Sequence, residues 1–307
     1  MGRGNRDRRP IQAAPLHEAS RASLPGRRPW ELSFGDSPGG RGYAPSPVPE
    51  LSRPTPRQPE AVLHANLEEV RRRLENAAER ADRPVPTLVA VTKYVSSPVA
   101  LALHRLGCPD LAENRADAFL AKADDLAAAG ATPTWHFVGH IQRNKARRVL
   151  ERADVIHSID SVRLAETVVR ITDELARDVE VFAQVNLTGE PEKQGLAASE
   201  ARAAVTTLAR GGHVRVLGLM AMGPLEERAT RTVDEVFHDA ADLARDLEAE
   251  MPEAFVDRRC KLSMGMTGDA EAAIAHGSDF VRIGSALFAG IERRTDGPKQ
   301  GEGDQHA

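Results

Sequence analysis

Leu88-Val89-Ala90-Val91-Thr92-Lys93 is a short apolar, β-branched run that ends on a lysine. Pro84 and Pro86 break the chain just before it. A run of this kind, bounded by breakers, reads as a buried parallel strand. Lysine is almost never buried without a partner. Lys93 at the strand's C-terminal end therefore has two readings: an exit marker where the chain meets solvent, or a reactive amine.

Outward from this run, strand-like and helix-like segments alternate. Upstream, Val62, Leu63, Leu67, Val70 and Leu74 fall at helical spacing within 59–81. Downstream, the pattern predicts strands over 110–113, 135–139, 155–159, 180–187, 214–222, 261–264 and 280–284. It places helices between them at 97–106, 115–129, 144–152, 162–177, 198–210, 229–250 and 269–276, with 285–291 closing the series. Ser97-Pro98 has proline at a first helical turn, and Asp160-Ser161 reads as a helix cap. Eight strands alternating with eight helices, after an extra N-terminal helix, predict an α/β fold: a single (β/α)8 TIM barrel. A doubly wound sheet is the alternative, but the first βα turn lacks the G-x-G-x-x-G fingerprint.

The barrel is expected to span 58–292. Residues 1–57 are rich in Arg, Pro, Gly and Ser and have no apolar periodicity, so they read as a disordered extension. The arginines suggest a transit peptide, but Asp7, Glu18, Glu31, Asp36 and the prolines argue against one. An over-extended start site is the other reading. Residues 293–307 read as a second disordered tail.

With 307 residues and 41% hydrophobic content, the chain can fill one barrel core. A net charge of −4 points to neither nucleic acid nor a membrane surface as partner. Two cysteines, Cys108 and Cys260, build neither a disulfide framework nor a four-ligand zinc site and read as small core residues. No apolar run reaches membrane-spanning length and no signal segment is visible, so a cytoplasmic protein is expected.

Active sites in such barrels lie at the C-terminal strand ends. Read as a ring, these ends carry Lys93, Glu113-Asn114-Arg115, His136 with Gly139-His140, His157 with Asp160, Asn186, Met220 with Met222-Gly223, Ser263-Met264-Gly265 and Arg282-Gly284-Ser285. Glycine-bearing turns after strands seven and eight are the usual place for phosphate in a barrel. They can also simply close tight loops. Opposite a strand-end lysine, they make the geometry that pyridoxal phosphate requires. Partial burial of Lys93 would favour its neutral, nucleophilic form. Arg282 has two readings: a rim salt bridge, or a cation facing the pyridine nitrogen. An arginine there keeps the ring unprotonated and a weak electron sink.

Taken singly, His136 in an apolar strand reads as a satisfied core histidine. Met220 and Met222 read as packing, Lys193 as loop surface charge, and Lys145, Arg147 and Arg148 as a solvated basic face. No His/Cys spacing suggests a metal.

Ten stretches in order carry a resemblance. They are Leu88-Val-Ala-Val-Thr-Lys93, Ala112-Glu-Asn114, Trp135-His-Phe-Val-Gly139, Gln142-Arg-Asn-Lys145, His157-Ser-Ile-Asp160, Lys193-Gln-Gly195, Gly218-Leu-Met220, Leu262-Ser-Met-Gly-Met266, Glu271-Ala-Ala-Ile274 and Val281-Arg-Ile-Gly-Ser285. The region from about 59 to 291 resembles the pyridoxal-phosphate homeostasis family, single-domain relatives of the alanine racemase N-terminal barrel. The resemblance implies a PLP fold-type III barrel with the cofactor held as an imine on Lys93. It puts phosphate-binding positions on Ser263, Met264, Gly284 and Ser285, and the ring-nitrogen arginine on Arg282. It makes Asn114, His136 and Met220 pocket-lining residues. His140, Ile141, Tyr94 and Val95 depart from the family's usual residues around the rim.

The function so implied is intracellular storage, buffering or delivery of pyridoxal phosphate, without evident catalysis. The expected partners are the cofactor and, transiently, PLP-requiring apo-enzymes, with the protein a monomer. The alternative is a racemase or lyase using the same lysine. Alanine racemases take a second acid/base from a tyrosine on a C-terminal β domain of the partner subunit. Here the tyrosines are Tyr43 and Tyr94, and strand alternation would turn Tyr94 away from Lys93. A partner-binding barrel without cofactor would leave the lysine and the glycine turns as coincidences.

Overall fold

The computed structural model describes residues 58–190, 192–224 and 230–292. The expected extension at 1–57 and tail at 293–307 lie outside these residues, as does the expected start of the seventh helix at 229.

Eight short parallel strands close into a barrel in sequence order. They are β1 (Thr87–Val91), β2 (Asp110–Glu113), β3 (Thr134–Phe137), β4 (Val155–Ile159), β5 (Val179–Gln184), β6 (Val214–Met220), β7 (Lys261–Ser263) and β8 (Phe280–Ile283). β1 seals the ring, pairing Ala90 with Leu111 of β2 and Val89 with Arg282 of β8. The TIM-barrel reading of the opening run therefore holds.

The helices are α1 (Gln58–Ala81), α2 (Ser97–Arg105), α3 (Ala116–Ala128), α4 (Ala146–Leu150), α5 (Val162–Leu175), α6 (Ala198–Leu208), α7 (Val233–Glu250) and α8 (Ala270–Ala275). Their ends follow local chemistry. Ser161 Oγ accepts the Leu164 N–H at 3.2 Å to start α5, whose buried stripe is Leu164, Ala165, Val168 and Ile171. Thr232 and Glu235 cap α7 reciprocally. One expectation changes. After β8, the described residues through Ile291 form turns and no eighth βα helix. α1 packs between α8 and α2 and takes that place in the outer ring.

Side chains alternate across each strand. In β3, Trp135 and Phe137 face outward onto Phe119 of α3, with ring centroids 5.5 and 5.8 Å away, while His136 faces inward. The main apolar core lies between strands and helices. A smaller inner set, Val155, Phe182, Leu217 and Met220, fills part of the barrel with Phe280 packed against it. Cys108 and Cys260 are buried, and desolvation pushes both thiols up to about 12, so they are inert core residues.

Candidate functional site

At the C-terminal strand ends a cavity of about 530 Å³ opens to solvent. β1 delivers Val91 and, just past its end, Lys93 and Tyr94; β2 delivers Asn114. β6 gives Met220 and Met222, the loop after β7 gives Met266, Thr267 and Gly268, and β8 gives Arg282, Gly284 and Ser285. Six of the nine residues expected to bind the cofactor or line its pocket thus line one cavity: Lys93, Asn114, Met220, Arg282, Gly284 and Ser285.

Lys93 is exposed at the mouth, so the expectation of a partly buried amine is corrected. Its Nζ lies 4.8 Å from the centre of the Tyr94 ring. That contact also corrects the expectation that Tyr94 points away. β1 ends at Val91, and residues 93 and 94 lie in a turn, where strand alternation no longer applies. Behind them, Thr92 points out of the barrel, where Lys122 Nζ donates to its carbonyl at 2.8 Å and to its hydroxyl at 3.2 Å. Thr92 Oγ1 donates to Glu113 Oε1 at 2.9 Å, and Lys122 pairs with that carboxylate. Glu113, expected on the rim, therefore faces α3 and not the cavity.

Arg282 is buried. Its Nη1 donates to Ser263 O and Oγ, both at 2.8 Å, and its Nη2 to Ala221 O at 3.1 Å. Burial lowers its pKa to about 10, against the opposing field of Asp269, which leaves it cationic at neutral pH. Among the described residues no carboxylate pairs with it, so the rim salt bridge is not formed.

Three residues expected at the cavity do not line it. Ser263 lies beneath the cavity, its hydroxyl taken up by Arg282 and, at 2.9 Å, by His157 Nδ1. Met264 turns outward into the main core, as alternation after Ser263 requires, and its N–H donates to Phe280 O at 3.1 Å. His136 is buried below the cavity, between His157 Nε2 at 2.9 Å and Asp110 Oδ1 at 3.0 Å. It is the satisfied core histidine of the residue-level reading. His157 sits within β4 and not at its end, and Asn186 orders the following loop through Glu190 O and Lys193 O.

In place of Ser263 and Met264, the rim carries Thr267 and Gly268, with Ser285 Oγ donating to Thr267 Oγ1 at 3.0 Å. The sequence held a signal for them: Gly265, at φ +88°, turns the chain sharply after β7, so the residues beyond it reach the mouth. Gly139 is required by a close approach, since a Cβ there would lie 1.8 Å from the Asn114 carbonyl oxygen. Lys193 is drawn inward, donating to Gly223 O at 3.0 Å and pairing with Glu190, which corrects its reading as surface charge. The basic face on α4 is exposed as expected, with Lys145 and Arg148 both paired to Asp117.

A family model described as alanine racemase, N-terminal domain, matches residues 65–291. The pyridoxal phosphate homeostasis protein of Pseudomonas aeruginosa is 34% identical over 231 residues, covering 74% of this chain and 95% of that protein. Its Escherichia coli counterpart is 33% identical over 229 residues, covering 73% and 94%. The solved structure of PipY from Synechococcus elongatus with PLP bound matches at TM-score 0.63 and 31% identity, over 74% of this chain and 100% of that one. An alanine racemase from Clostridium difficile, at 14% identity and TM-score 0.56, covers 74% of this chain and 56% of its own, a likeness of fold alone.

Proposed function

The chain belongs to the pyridoxal phosphate homeostasis family, and from that membership we propose that it binds pyridoxal phosphate on Lys93 and carries the cofactor without catalysis of its own. One observation supports the reading above the others. A single cavity holds an amine at its mouth, a desolvated guanidinium in its wall, and hydroxyls and glycines along its rim.

Bound pyridoxal phosphate supplies an aldehyde, a ring nitrogen and a phosphate. Lys93 would supply the amine that holds the aldehyde. Arg282 offers a permanent donor for the ring nitrogen and denies it a proton. Thr267, Gly268, Gly284 and Ser285 offer hydroxyls and backbone to the phosphate. Asn114 fits this occupant too. Its Oδ1 is buried in the cavity wall without a hydrogen-bond partner among the described residues, and a bound polar group would satisfy it.

The same proposal makes the protein a cytoplasmic monomer that meets PLP-requiring apo-enzymes transiently. Among the described residues no helix is long and apolar enough to cross a membrane.

The Tyr94 ring beside Lys93 favours a second reading, a racemase or lyase with a phenol as its other acid/base. Incubating the loaded protein with L- and D-amino acids in deuterated water separates the two. The carrier reading expects no steady α-proton exchange. Exchange at enzymatic turnover that disappears in Tyr94→Phe would establish the enzyme instead.

A further inference from the structure

Five side chains run through the barrel interior beneath the cavity as one hydrogen-bonded series. Asp110 Oδ1 lies 3.0 Å from His136 Nε2, His136 Nδ1 lies 2.9 Å from His157 Nε2, and His157 Nδ1 lies 2.9 Å from Ser263 Oγ. Arg282 Nη1 completes the series, donating to Ser263 Oγ at 2.8 Å. The members come from β2, β3, β4, β7 and β8.

The donor count along the series has one neutral solution. Arginine only donates, and an ionised carboxylate only accepts. His136 Nε2 therefore carries the proton that faces Asp110. A neutral imidazole has one N–H, so His136 Nδ1 accepts, and His157 Nε2 carries the proton it accepts. His157 Nδ1 accepts in turn. The Ser263 hydroxyl supplies that last proton while its oxygen accepts from Arg282. Every group is matched, and every bond runs from Arg282 toward Asp110.

An extra proton on either ring would set two donors face to face or strand the Ser263 hydrogen. The surroundings of His157 oppose such a proton there. His157 stacks on Phe182 at 4.7 Å and meets the edge of Phe280 at 6.3 Å. Burial, the largest cause, and the Arg282 charge hold its pKa well below the ordinary histidine value.

We infer that Asp110, His136, His157 and Ser263 are positioning residues for Arg282, a one-way hydrogen-bond chain that fixes the guanidinium's orientation from the N-terminal end of β2. Asp110 is the carboxylate at the far end, and both histidines are neutral couplers. The chain explains why two histidines and a serine are buried below a cavity they do not line. It also fixes one acceptor of the desolvated guanidinium, Ser263 Oγ, beside the backbone carbonyls of Ser263 and Ala221.

The test has two arms. The first is nitrogen-15 NMR of histidine tautomers in the full-length, cofactor-free protein. His136 and His157 should both be neutral at pH 7, protonated on Nε2 and bare on Nδ1. A cationic ring, or an Nδ1–H tautomer at either position, overturns the chain whatever becomes of the cofactor reading.

The second arm rests on that reading and measures the Kd for pyridoxal phosphate. His157→Gln keeps one acceptor and one donor in line, whereas His157→Leu keeps neither. Kd should rise about tenfold in H157L and stay within about threefold of wild type in H157Q. Equal affinity in the two variants overturns the positioning role. If H157L does not fold, Ser263→Ala takes its place, with the same tenfold rise expected and an unchanged Kd counting against the chain. If wild type itself does not bind the cofactor, the function proposed above fails, and the tautomers alone decide for or against the chain.

Discussion

Inside the barrel wall, the buried polar groups beneath the cavity form an extended series whose charges, Arg282 and Asp110, sit at opposite ends with neutral groups between. Outside the wall, behind Lys93, Lys122 and Glu113 form a compact ion pair that also grips Thr92. The inner series spreads its satisfaction over five residues. The outer cluster concentrates it, and leaves Glu113 Oε2 without a hydrogen-bond partner among the described residues. The difference shows two ways of fixing one site. The inner series orients a side chain that faces the cavity, while the outer pair fixes the backbone next to Lys93 at its mouth. A compact buried ion pair should be fragile to the loss of one member, and a distributed neutral series should be sensitive to added protons.

The largest effect expected from this contrast is at the outer cluster. Lys122→Met leaves Glu113 buried beside an apolar chain and should cost about 3–5 kcal/mol of stability in denaturant unfolding. Glu113→Leu combined with Lys122→Met should recover most of that loss, because no lone charge then remains. A single variant as stable as wild type would show that the outer pair contributes nothing, and the contrast would collapse.

The inner series should reveal itself through acid. The native state refuses a proton at His157 that the unfolded chain accepts near pH 6.5, so the unfolded state binds more protons below that value. Stability is therefore fully present above about pH 6.5 and falls as pH drops below it, by up to about 1.4 kcal/mol per pH unit for this one group. The groups that face His157 are His136 on β3, Ser263 on β7 and Arg282 on β8, with Phe182 and Phe280 against its ring. His157→Gln should flatten that slope. An unchanged slope in the variant would mean that the acid loss arises elsewhere.

The smallest effect belongs to a surface control that resembles the outer pair only on paper. Asp117 pairs with Lys145 and Arg148, and those contacts hold its carboxyl below the usual range, yet it is exposed. Asp117→Asn should leave the unfolding midpoint unmoved, since solvent and salt screen such pairs. A clear loss there would blur the distinction between buried and exposed charge on which the comparison depends.

Much of the fold was legible because a parallel barrel has a strong local signature. The apolar runs gave β2 and β4 to the residue, and Ser161 marked the start of α5. The turns at 285–291, where the pattern predicts a helix after β8, were not legible, because α1, far away in sequence, fills that place. The placement of Arg282 on the cavity wall was legible, because it lies within β8, where strand alternation decides direction. Alternation could also have turned Met264 outward. It misleads at Tyr94, because the strand has already ended there. Height along the barrel axis is what the sequence hides. Ser263 and His136 face inward as rim residues do, yet they lie one layer below, joined to partners on strands that only the closed barrel brings together. Lys122 and Thr92 are hidden for the same reason, since nothing in a helical stripe distinguishes a buried lysine from an exposed one.

The central claim is that Lys93 is the amine that holds the cofactor. Pyridoxal phosphate is added to the full-length protein, the complex is reduced with borohydride, and the labelled peptide is mapped. A visible band is expected before reduction, bleached by borohydride as the pyridoxyl label becomes fixed on Lys93, and absent in Lys93→Ala with the fold intact. A colourless wild-type protein, or a label that persists on another residue in the Lys93→Ala variant, would contradict it.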